Sequence, residues 1–447
     1  MPQHVFPRSF KTNYLKADRG EGIYIFAADG KKYIDGCSGA LISNLGHAVP
    51  EVADAVAAQL RKLEFAHPSR WQCDVVEEAA TRVAEFAPDG LDNVWFVSGG
   101  SEAVESAIKL ARQYFYERDG GKASKYLTIG RWNSYHGSTL GTMAAGGSMA
   151  RRNVFSPIFA EQPKIAATYC YRCPFGLEHP SCGLKCGHQL ESKIRRIGPQ
   201  YVSSFIAEPI VGSTVGALTP PDEYWPLVRE ICDKYDVLLI ADEVMTGCGR
   251  TGKNFAVDHW NVVPDIIATA KGLAAGYVPT GAIIAKDNLL DAIRKGSGAF
   301  MHGHTYNGNP VSAAAVVAVM KYMKERKVVE NVRQVEYVFA EGLRKIESKN
   351  PIVGQTRGRG FMWGVELVKD KNTRAPFEKK TGAANVVTKE CIDQGLILYP
   401  GSGMIDGIEG DNFLLAPPLV TTEPQAREIL EKLSAGLASA AKKLLSM

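Results

Sequence analysis

The sequence lacks the features that mark a membrane protein or a nucleic-acid-binding protein. No stretch of its 447 residues approaches the ~20 consecutive apolar residues of a membrane span. Its 52 basic and 48 acidic residues nearly balance, and no basic run carries interleaved aromatic residues. We therefore expect neither a membrane nor a nucleic acid as a partner.

The sequence also lacks the marks of a secreted protein. Residues 1–13 have no apolar core of a signal peptide. The nine cysteines, an odd number, are scattered through the chain, which is typical of a reducing compartment. We therefore expect a cytoplasmic location. The length predicts two domains rather than one small core.

One stretch of the chain predicts a site of chemistry. An apolar run at residues 237–241 ends in Asp242-Glu243, and a second run at residues 265–270 ends at Lys271. Such continuous apolar runs predict buried parallel strands. In open α/β sheets, ligands bind at the carboxyl ends of the strands. There a lysine can form a Schiff base with an aldehyde, and an aspartate can keep a pyridine nitrogen protonated.

Other strand ends add to this prediction. A strand at residues 94–97 leads into a glycine-containing turn with Ser101, which then opens a helix, and free amides at a helix N-terminus suit a phosphate. Alternatively, the turn is a plain connection in which Ser101 is the N-cap. Tyr135 follows a strand at residues 126–129 and offers either a face for a flat ring or a core side chain. Glu208 follows a strand at residues 205–207, and a last strand and helix are predicted after Pro417-Pro418.

A cysteine-rich segment at residues 169–188 leaves two interpretations open. It contains Cys170-x2-Cys173 and Cys182-x3-Cys186, with His179 and His188 nearby. Paired cysteines at short spacing are typical of structural zinc sites. Alternatively, the segment is a surface insertion with free or buried thiols. We predict no metal site.

A nucleotide-hydrolysing enzyme is a rival interpretation of the central stretch. Gly247-x4-Gly252-Lys253 matches most of a phosphate-binding loop. However, Asn254 stands where a hydroxyl should bind magnesium, and the loop directly follows the Asp-Glu strand instead of an earlier one. We therefore reject this interpretation.

Taken together, these residues resemble a known family. Over nearly its whole length the chain is similar to the class III aminotransferases, pyridoxal-phosphate (PLP) enzymes of fold type I that include the ω-aminotransferases. The resemblance rests on these motifs in this order: residues 100–103 (GSEA), 135–137 (YHG), 208–209 (EP), 239–244 (LIADEV), 269–272 (TAKG) and 305–306 (TY).

The resemblance implies a role for each matching position around the cofactor. Lys271 would form the Schiff base with PLP and then shuttle a proton, and Asp242 would pair with the pyridine nitrogen. Val244 and Tyr135, the latter followed by His136, would pack against the two faces of the ring.

The remaining implied contacts surround the ring. Gly100 and Ser101 would hold the phosphate, and Glu208 would support the Asp242 side of the ring through hydrogen bonds. Thr305 would reach the phosphate of the partner subunit, which implies a homodimer with shared active sites. Gly99 stands where the family usually has serine, so one phosphate contact is lost.

The substrate site departs from the family in two places. Leu41 stands where many ω-amine enzymes carry tryptophan, which indicates a differently shaped pocket. Many members also place an arginine shortly before Pro417-Pro418, but residues 401–416 contain none. Arg70, Arg131 and Arg359 are the candidates for binding a substrate carboxylate instead.

The resemblance implies an α/β fold in which a large domain holds a mostly parallel seven-stranded sheet. A smaller α+β domain would combine the N- and C-terminal segments, with boundaries at residues 1–50, 51–305 and 306–447. The expected activity is PLP-dependent transfer of an amino group from an amine or ω-amino acid to a keto acid such as pyruvate, through pyridoxamine phosphate. An amino-acid racemase of the same fold is the alternative, and a non-catalytic protein that binds PLP or metal is a second.

Overall fold

The computed structural model describes residues 4–446; residues 1–3 and 447, at the outer ends of the predicted terminal segments, lie outside it. The described residues form three sheets. Their strands are β1 Ala17–Glu21, β2 Tyr24–Ala27, β3 Lys32–Asp35, β4 Leu91–Val97, β5 Leu127–Arg131, β6 Lys164–Ile165, β7 Val202–Ala207, β8 Leu238–Asp242, β9 Ile266–Ala270, β10 Gly281–Lys286, β11 Val353–Arg359, β12 Met362–Leu367, β13 Leu396–Ile397, β14 Tyr399–Ile405 and β15 Glu409–Leu415.

Helices cover these sheets and connect their strands. They are α1 Ser38–Leu41, α2 Pro50–Lys62, α3 Asp74–Phe86, α4 Gly100–Arg118, α5 Leu140–Ala145, α6 Met149–Arg152, α7 Lys185–Ile197, α8 Tyr224–Lys234, α9 Asp287–Lys295, α10 Pro310–Glu325, α11 Val328–Lys349, α12 Ala383–Asp393 and α13 Glu423–Leu445. Among residues 4–446, none is both long and apolar enough to cross a membrane.

The central sheet has seven strands in the order β4-β10-β9-β8-β7-β5-β6. Strands β9, β8, β7, β5 and β6 are parallel, whereas β10 is antiparallel to both of its neighbours. Because β10 is antiparallel to both β4 and β9, these two strands run in the same direction. The carboxyl ends of β4, β5, β7, β8 and β9 therefore meet at one edge of the sheet, as predicted for the ionisable residues that follow them.

The apolar runs of the sequence explain the burial of this sheet. Every residue of β7, β8 and β9 is buried. Continuous burial on both faces is expected for parallel strands that are covered by helices on each side. The structure thus confirms the α/β class and the mostly parallel seven-stranded sheet.

The smaller sheets join distant parts of the chain. One has the order β1-β2-β3-β13, so the N-terminal hairpin pairs with a strand from the C-terminal segment. The other has the order β11-β12-β15-β14 and is antiparallel. This pairing agrees with a second domain built from both termini, and the boundaries at residues 50 and 305 stay predictions.

The prediction of a strand after Pro417-Pro418 was wrong, because the described residues form no strand between β15 and α13. The amide of Leu419 donates to the carbonyl of Asn44, and the amide of Thr421 donates back to the carbonyl of Pro418. Thr422 then caps α13 in a capping box with Gln425. These bonds use the backbone groups that a strand would offer to a neighbour.

The glycine-rich loop after β8 is a structural junction. Arg250 is fully buried and donates to the carbonyl of Phe361 and to Oδ1 of Asn44, at 3.2 and 2.6 Å. It also donates to the carbonyl of Pro417. A Cβ on Gly249 would lie 3.1 Å from Met323, so the loop packs against α10 instead of opening a helix. These contacts support the rejection of the nucleotide-hydrolase interpretation.

Candidate active site

Asp242, the last residue of β8, has only 3% of its surface exposed. Its Oδ2 lies 2.7 Å from Nδ1 of His136, and its Oδ1 accepts a hydrogen bond from the amide of Val244 at 3.1 Å. Because an ionised carboxylate only accepts hydrogen bonds, Nδ1 of His136 carries the hydrogen. The backbone and the imidazole together fix the direction in which the carboxylate points.

Glu243 has a different environment from its neighbour Asp242. Its side chain accepts hydrogen bonds from the hydroxyl of Thr246 and from the amide of Val257, the latter at 2.9 Å. Burial raises the pKa of Glu243 to about 7. Glu243 therefore supports the loop after β8, and Asp242 alone faces the sheet edge.

Lys271 follows β9, the strand adjacent to β8. Burial lowers the pKa of Lys271 to about 8, while the charge of Asp242 opposes this shift and the charge of Arg151 adds to it. Its backbone has a positive φ of 44°, an unfavourable conformation for a lysine. A desolvated amine that is often neutral near pH 8 is suited to act as a nucleophile and as a base.

Glu208 follows β7 and contacts the segment after β5. Its Oε1 accepts a hydrogen bond from the amide of Tyr135 at 3.0 Å, whereas its buried Oε2 has no hydrogen-bond partner among the described residues. Burial raises the pKa of Glu208, and the charges of His136 and Arg131 oppose this shift. Through Tyr135, Glu208 ties the segment after β5 to the end of β7.

The prediction for Arg131 is corrected by its surroundings. Its side chain is 1% exposed, and Nη2 donates to the backbone carbonyl of Glu208 at 2.6 Å. The guanidinium also lies over the ring of Tyr224. A substrate cannot reach this group, so Arg131 is a structural residue beneath the site.

The N-terminus of α4 faces the same edge of the sheet. The first hydrogen bond of the helix runs from the amide of Ala103 to the carbonyl of Gly99. The amides of Gly100, Ser101 and Glu102 precede it and have no partner within the helix. The N-cap is Gly99, not Ser101 as the alternative interpretation required. The Ser101 hydroxyl accepts from the amide of Ser138 at 3.0 Å.

Val244 lies beside this helix end. A Cβ on Gly100 would lie 2.9 Å from Cγ1 of Val244, so a larger residue here would displace the Val244 side chain. Tyr135 is partly buried, and its hydroxyl lies 2.9 Å from Oγ of Ser138. The structure thus brings together Gly100, Ser101, Tyr135, His136, Glu208, Asp242, Val244 and Lys271 from five segments of the chain.

Within residues 4–446, the side chains of the remaining predicted residues form no hydrogen bond or ion pair with this group. Arg359 pairs with Asp222 at 2.6 Å, and Arg70 is exposed. Leu41 is 1% exposed within a hydrophobic cluster. Thr305 is exposed on the loop before α10. Their roles at the site stay predictions.

Sequence analysis missed Arg151, which lies on α6. Its guanidinium lies 4.1 Å from the centroid of the Tyr135 ring, and Nη2 donates to Oγ of Ser213 at 3.1 Å. One signal was available: Arg151 and Arg152 are the only charged residues between Gly137 and Ile158. The pair was overlooked because its segment matches no motif.

The cysteine-rich segment lines a cavity to which none of the site residues contributes. Cys170, Cys173, Cys182 and Cys186 line one small cavity and are free thiols. Within residues 4–446, no three His, Cys, Asp or Glu side chains are grouped as metal ligands. Burial raises the pKa of Cys186 to about 11, so this thiol stays protonated at neutral pH. The geometry gives the zinc hypothesis no support.

Comparisons with known proteins agree with the resemblance. Residues 5–437 match the model of the class III aminotransferase family. The chain belongs to this family and is an aminotransferase.

Individual relatives are similar over almost their full lengths. The chain is 36% identical to the uncharacterized aminotransferase YodT of Bacillus subtilis, over 99% of each protein. It is 35% identical to the putrescine–pyruvate aminotransferase of Pseudomonas aeruginosa, over 92% of this chain and 88% of the relative.

Solved structures are similar as well. A transaminase from the marine bacterium Virgibacillus superposes with a TM-score of 0.91 and 30% identity, covering 99% of this chain and 98% of that one. An amine transaminase from an uncultivated Pseudomonas species, in its PLP-bound form, superposes with a TM-score of 0.89 and 32% identity, covering 98% of this chain and 99% of that one.

Proposed function

We propose that this protein is a PLP-dependent aminotransferase that moves an amino group from an amine or an ω-amino acid to a keto acid such as pyruvate. The observation that carries the proposal is the pairing of Asp242 with His136 next to Lys271, whose pKa is lowered to about 8. When bound, PLP takes the amino group from the donor and passes it to the acceptor.

The residues at the sheet edge fit this cofactor. The leading amides of α4 suit its phosphate, because an anion is stabilised at the N-terminus of a helix. Asp242 would accept a hydrogen bond from the protonated pyridine nitrogen, and its own orientation is held by His136. Tyr135 and Val244 offer surfaces for the two faces of a flat ring.

Lys271 would anchor the cofactor and move the proton at the substrate carbon. A general base works best when its pKa is close to the working pH, and a value of about 8 meets this condition. Glu208 would act as a positioning residue, because it holds the Tyr135 backbone against the end of β7.

The proposal includes a homodimer and a cytoplasmic location. The loop that carries Thr305 exposes Met301 by 77% and Tyr306 by 61%, and apolar exposure of this kind is common at protein interfaces. All nine cysteines are free, which fits a reducing compartment. Sedimentation of the purified protein would test the dimer, and a monomeric species that is fully active would contradict it.

The activity is tested with a panel of amines and ω-amino acids offered together with pyruvate. We expect at least one donor to give alanine in an amount equal to its own carbonyl product. A racemase would change the configuration of an amino acid without needing pyruvate. Racemisation with no transfer to pyruvate from any donor would contradict the proposal.

A further inference from the structure

Arg151 and Arg152 are neighbours on α6 but have opposite environments. Arg152 is buried, pairs with Glu161 and lies over the ring of Trp132. Arg151 is partly exposed and contacts Tyr135 and Ser213. Within residues 4–446 its guanidinium pairs with no carboxylate, so its charge is not balanced by the chain itself.

The position of Arg151 is fixed by the packing of α6. A Cβ on Gly403 would lie 3.6 Å from Cβ of Ala150, and a Cβ on Gly407 would lie 2.1 Å from Cβ of Met149. The turn between β14 and β15 therefore lies directly against α6. Because the helix is held in this way, Arg151 extends over Tyr135 from a supported backbone.

The charge of Arg151 also influences Lys271. Burial is the main cause of the lowered pKa of Lys271, and the charge of Arg151 lowers it further. The charge of Arg151 therefore acts on Lys271, while the charges of Asp242 and Glu208 oppose this effect. Because Arg151 forms no ion pair within residues 4–446, a bound anion would balance its charge.

We infer that Arg151 binds the carboxylate of the substrate, meaning that of the keto acid acceptor and of any amino acid donor. This inference rests on the proposed function. A guanidinium presents five N–H donors in a planar fork that matches a carboxylate. Only one hydrogen bond, from Nη2 to Ser213, is formed within the described residues, so the other donors remain available.

The location also accounts for a departure from the family pattern. Residues 401–416, which contain no arginine where many family members carry one, form most of the β14–β15 hairpin. This hairpin packs against α6. Arg151 therefore supplies a positive charge from the helix that contacts the segment from which the usual arginine is missing.

A purely structural role is the competing explanation. Arg151 lies over the Tyr135 ring, and such a cation–π contact alone can hold an aromatic side chain in place. Loss of a positioning residue would impair every substrate. Loss of a carboxylate ligand would impair only substrates that carry a carboxylate, so paired substrates separate the two explanations.

The test compares the wild type with Arg151→Gln, using enzyme already charged by an amine donor that lacks a carboxylate. Pyruvate and propanal then serve as acceptors in single-turnover reactions. We expect the half-saturating concentration of pyruvate to rise ~10- to 100-fold, as for the loss of hydrogen bonds to a charged group, with little change for propanal. The half-saturating concentration of pyruvate for Arg151→Lys should lie between those of the wild type and Arg151→Gln, because lysine keeps the charge but lacks the planar set of N–H donors.

Two further variants serve as controls. Arg344→Gln removes an exposed arginine on α11 and should match the wild type. Arg359→Gln tests the rival arginine; a pyruvate-specific defect in this variant, and none in Arg151→Gln, would overturn the inference. An equal defect of Arg151→Gln with pyruvate and propanal would also overturn it.

A binding measurement separates this inference from the proposed function. Isothermal titration of the wild type and of Arg151→Gln with propanoate and with propanamide needs no turnover. We expect propanoate, but not propanamide, to bind the wild type and to bind the variant at least ~10-fold more weakly. Equal propanoate binding by both proteins, or none by the wild type, would overturn the inference even if transamination is observed. If carboxylate binding depends on Arg151 but no donor supports turnover, the proposed function fails alone.

Discussion

Nδ1 of His136 donates a hydrogen bond to Oδ2 of Asp242 across 2.7 Å, and both side chains are buried. The second ring nitrogen, Nε2, is also buried and has no partner among residues 4–446. His136 therefore acts on Asp242 rather than on solvent. It holds one carboxylate oxygen in place.

Replacing Asp242 tests this relationship. Asp242→Asn keeps the shape of the side chain but removes the charge that would hold a pyridine nitrogen protonated. We expect transamination to fall ~100-fold or more, as when other preorganised electrostatic contacts are lost, while the melting temperature changes little. Steady-state rates and thermal unfolding measure the two effects. Asp222→Asn, at the surface, is the control, and a fully active Asp242→Asn would refute the assigned role.

The lowered pKa of Lys271 predicts a pH dependence. With a pKa of about 8, roughly a tenth of the side chains are neutral at pH 7 and roughly nine-tenths at pH 9. The rate at which PLP rebinds to cofactor-free protein should therefore rise about tenfold over this range and then level off. Stopped-flow absorption measures this rate. A rate that keeps climbing to pH 10 would indicate an ordinary lysine.

Because the pKa of Glu243 is raised, we expect the free energy of unfolding to depend on pH. Its pKa in the folded protein is raised to about 7, above the value in an unfolded chain. Its contribution to stability is therefore complete at acidic pH and is lost as the pH rises through about 7. Glu243→Gln cannot ionise, so its stability should change less than that of the wild type between pH 5 and pH 8.

Denaturant unfolding at several pH values measures this difference. Glu341→Gln on α11, where the side chain is exposed, is the matched control and should follow the wild type. If Glu243→Gln shows the same pH slope as the wild type, Glu243 does not titrate in this range.

The sequence predicted the central sheet well but missed elements that depend on tertiary contacts. The apolar runs of β8 and β9 are strong local signals, and each ends at the ionisable residue that the site uses. By contrast, β14 and β15 contain several glycines and polar residues that favour loops, and they form strands because they pair with each other and with β12. No local pattern reveals such pairing.

The same limit applies to the individual arginines. Arg131 and Arg151 are both plausible carboxylate ligands by residue type. Only the fold shows that Arg131 is enclosed beneath Glu208, whereas Arg151 extends over Tyr135 from a short helix. Burial and the presence of a partner decide between them, and neither property can be derived from spacing along the chain.

Substitution of the buried Arg250 should destabilise the fold. Arg250 links the loop after β8 to Asn44, Phe361 and Pro417, which lie far apart in the sequence. Arg250→Met would leave these buried acceptors unpaired, at a cost of about 3–5 kcal/mol. Chemical denaturation measures this cost, with Arg344→Met as the exposed control. A change below about 1 kcal/mol would contradict the role of Arg250 as a junction.

The most direct test of the central claim is the visible absorption spectrum of the purified protein with PLP, compared with that of Lys271→Ala. We predict a visible band for the wild type that is lost when an active amine donor is added and returns with pyruvate. The variant should not complete this cycle. A wild type that shows no band even when PLP is supplied, or a Lys271→Ala variant that cycles normally, would contradict the assignment of Lys271 and Asp242 as the catalytic pair.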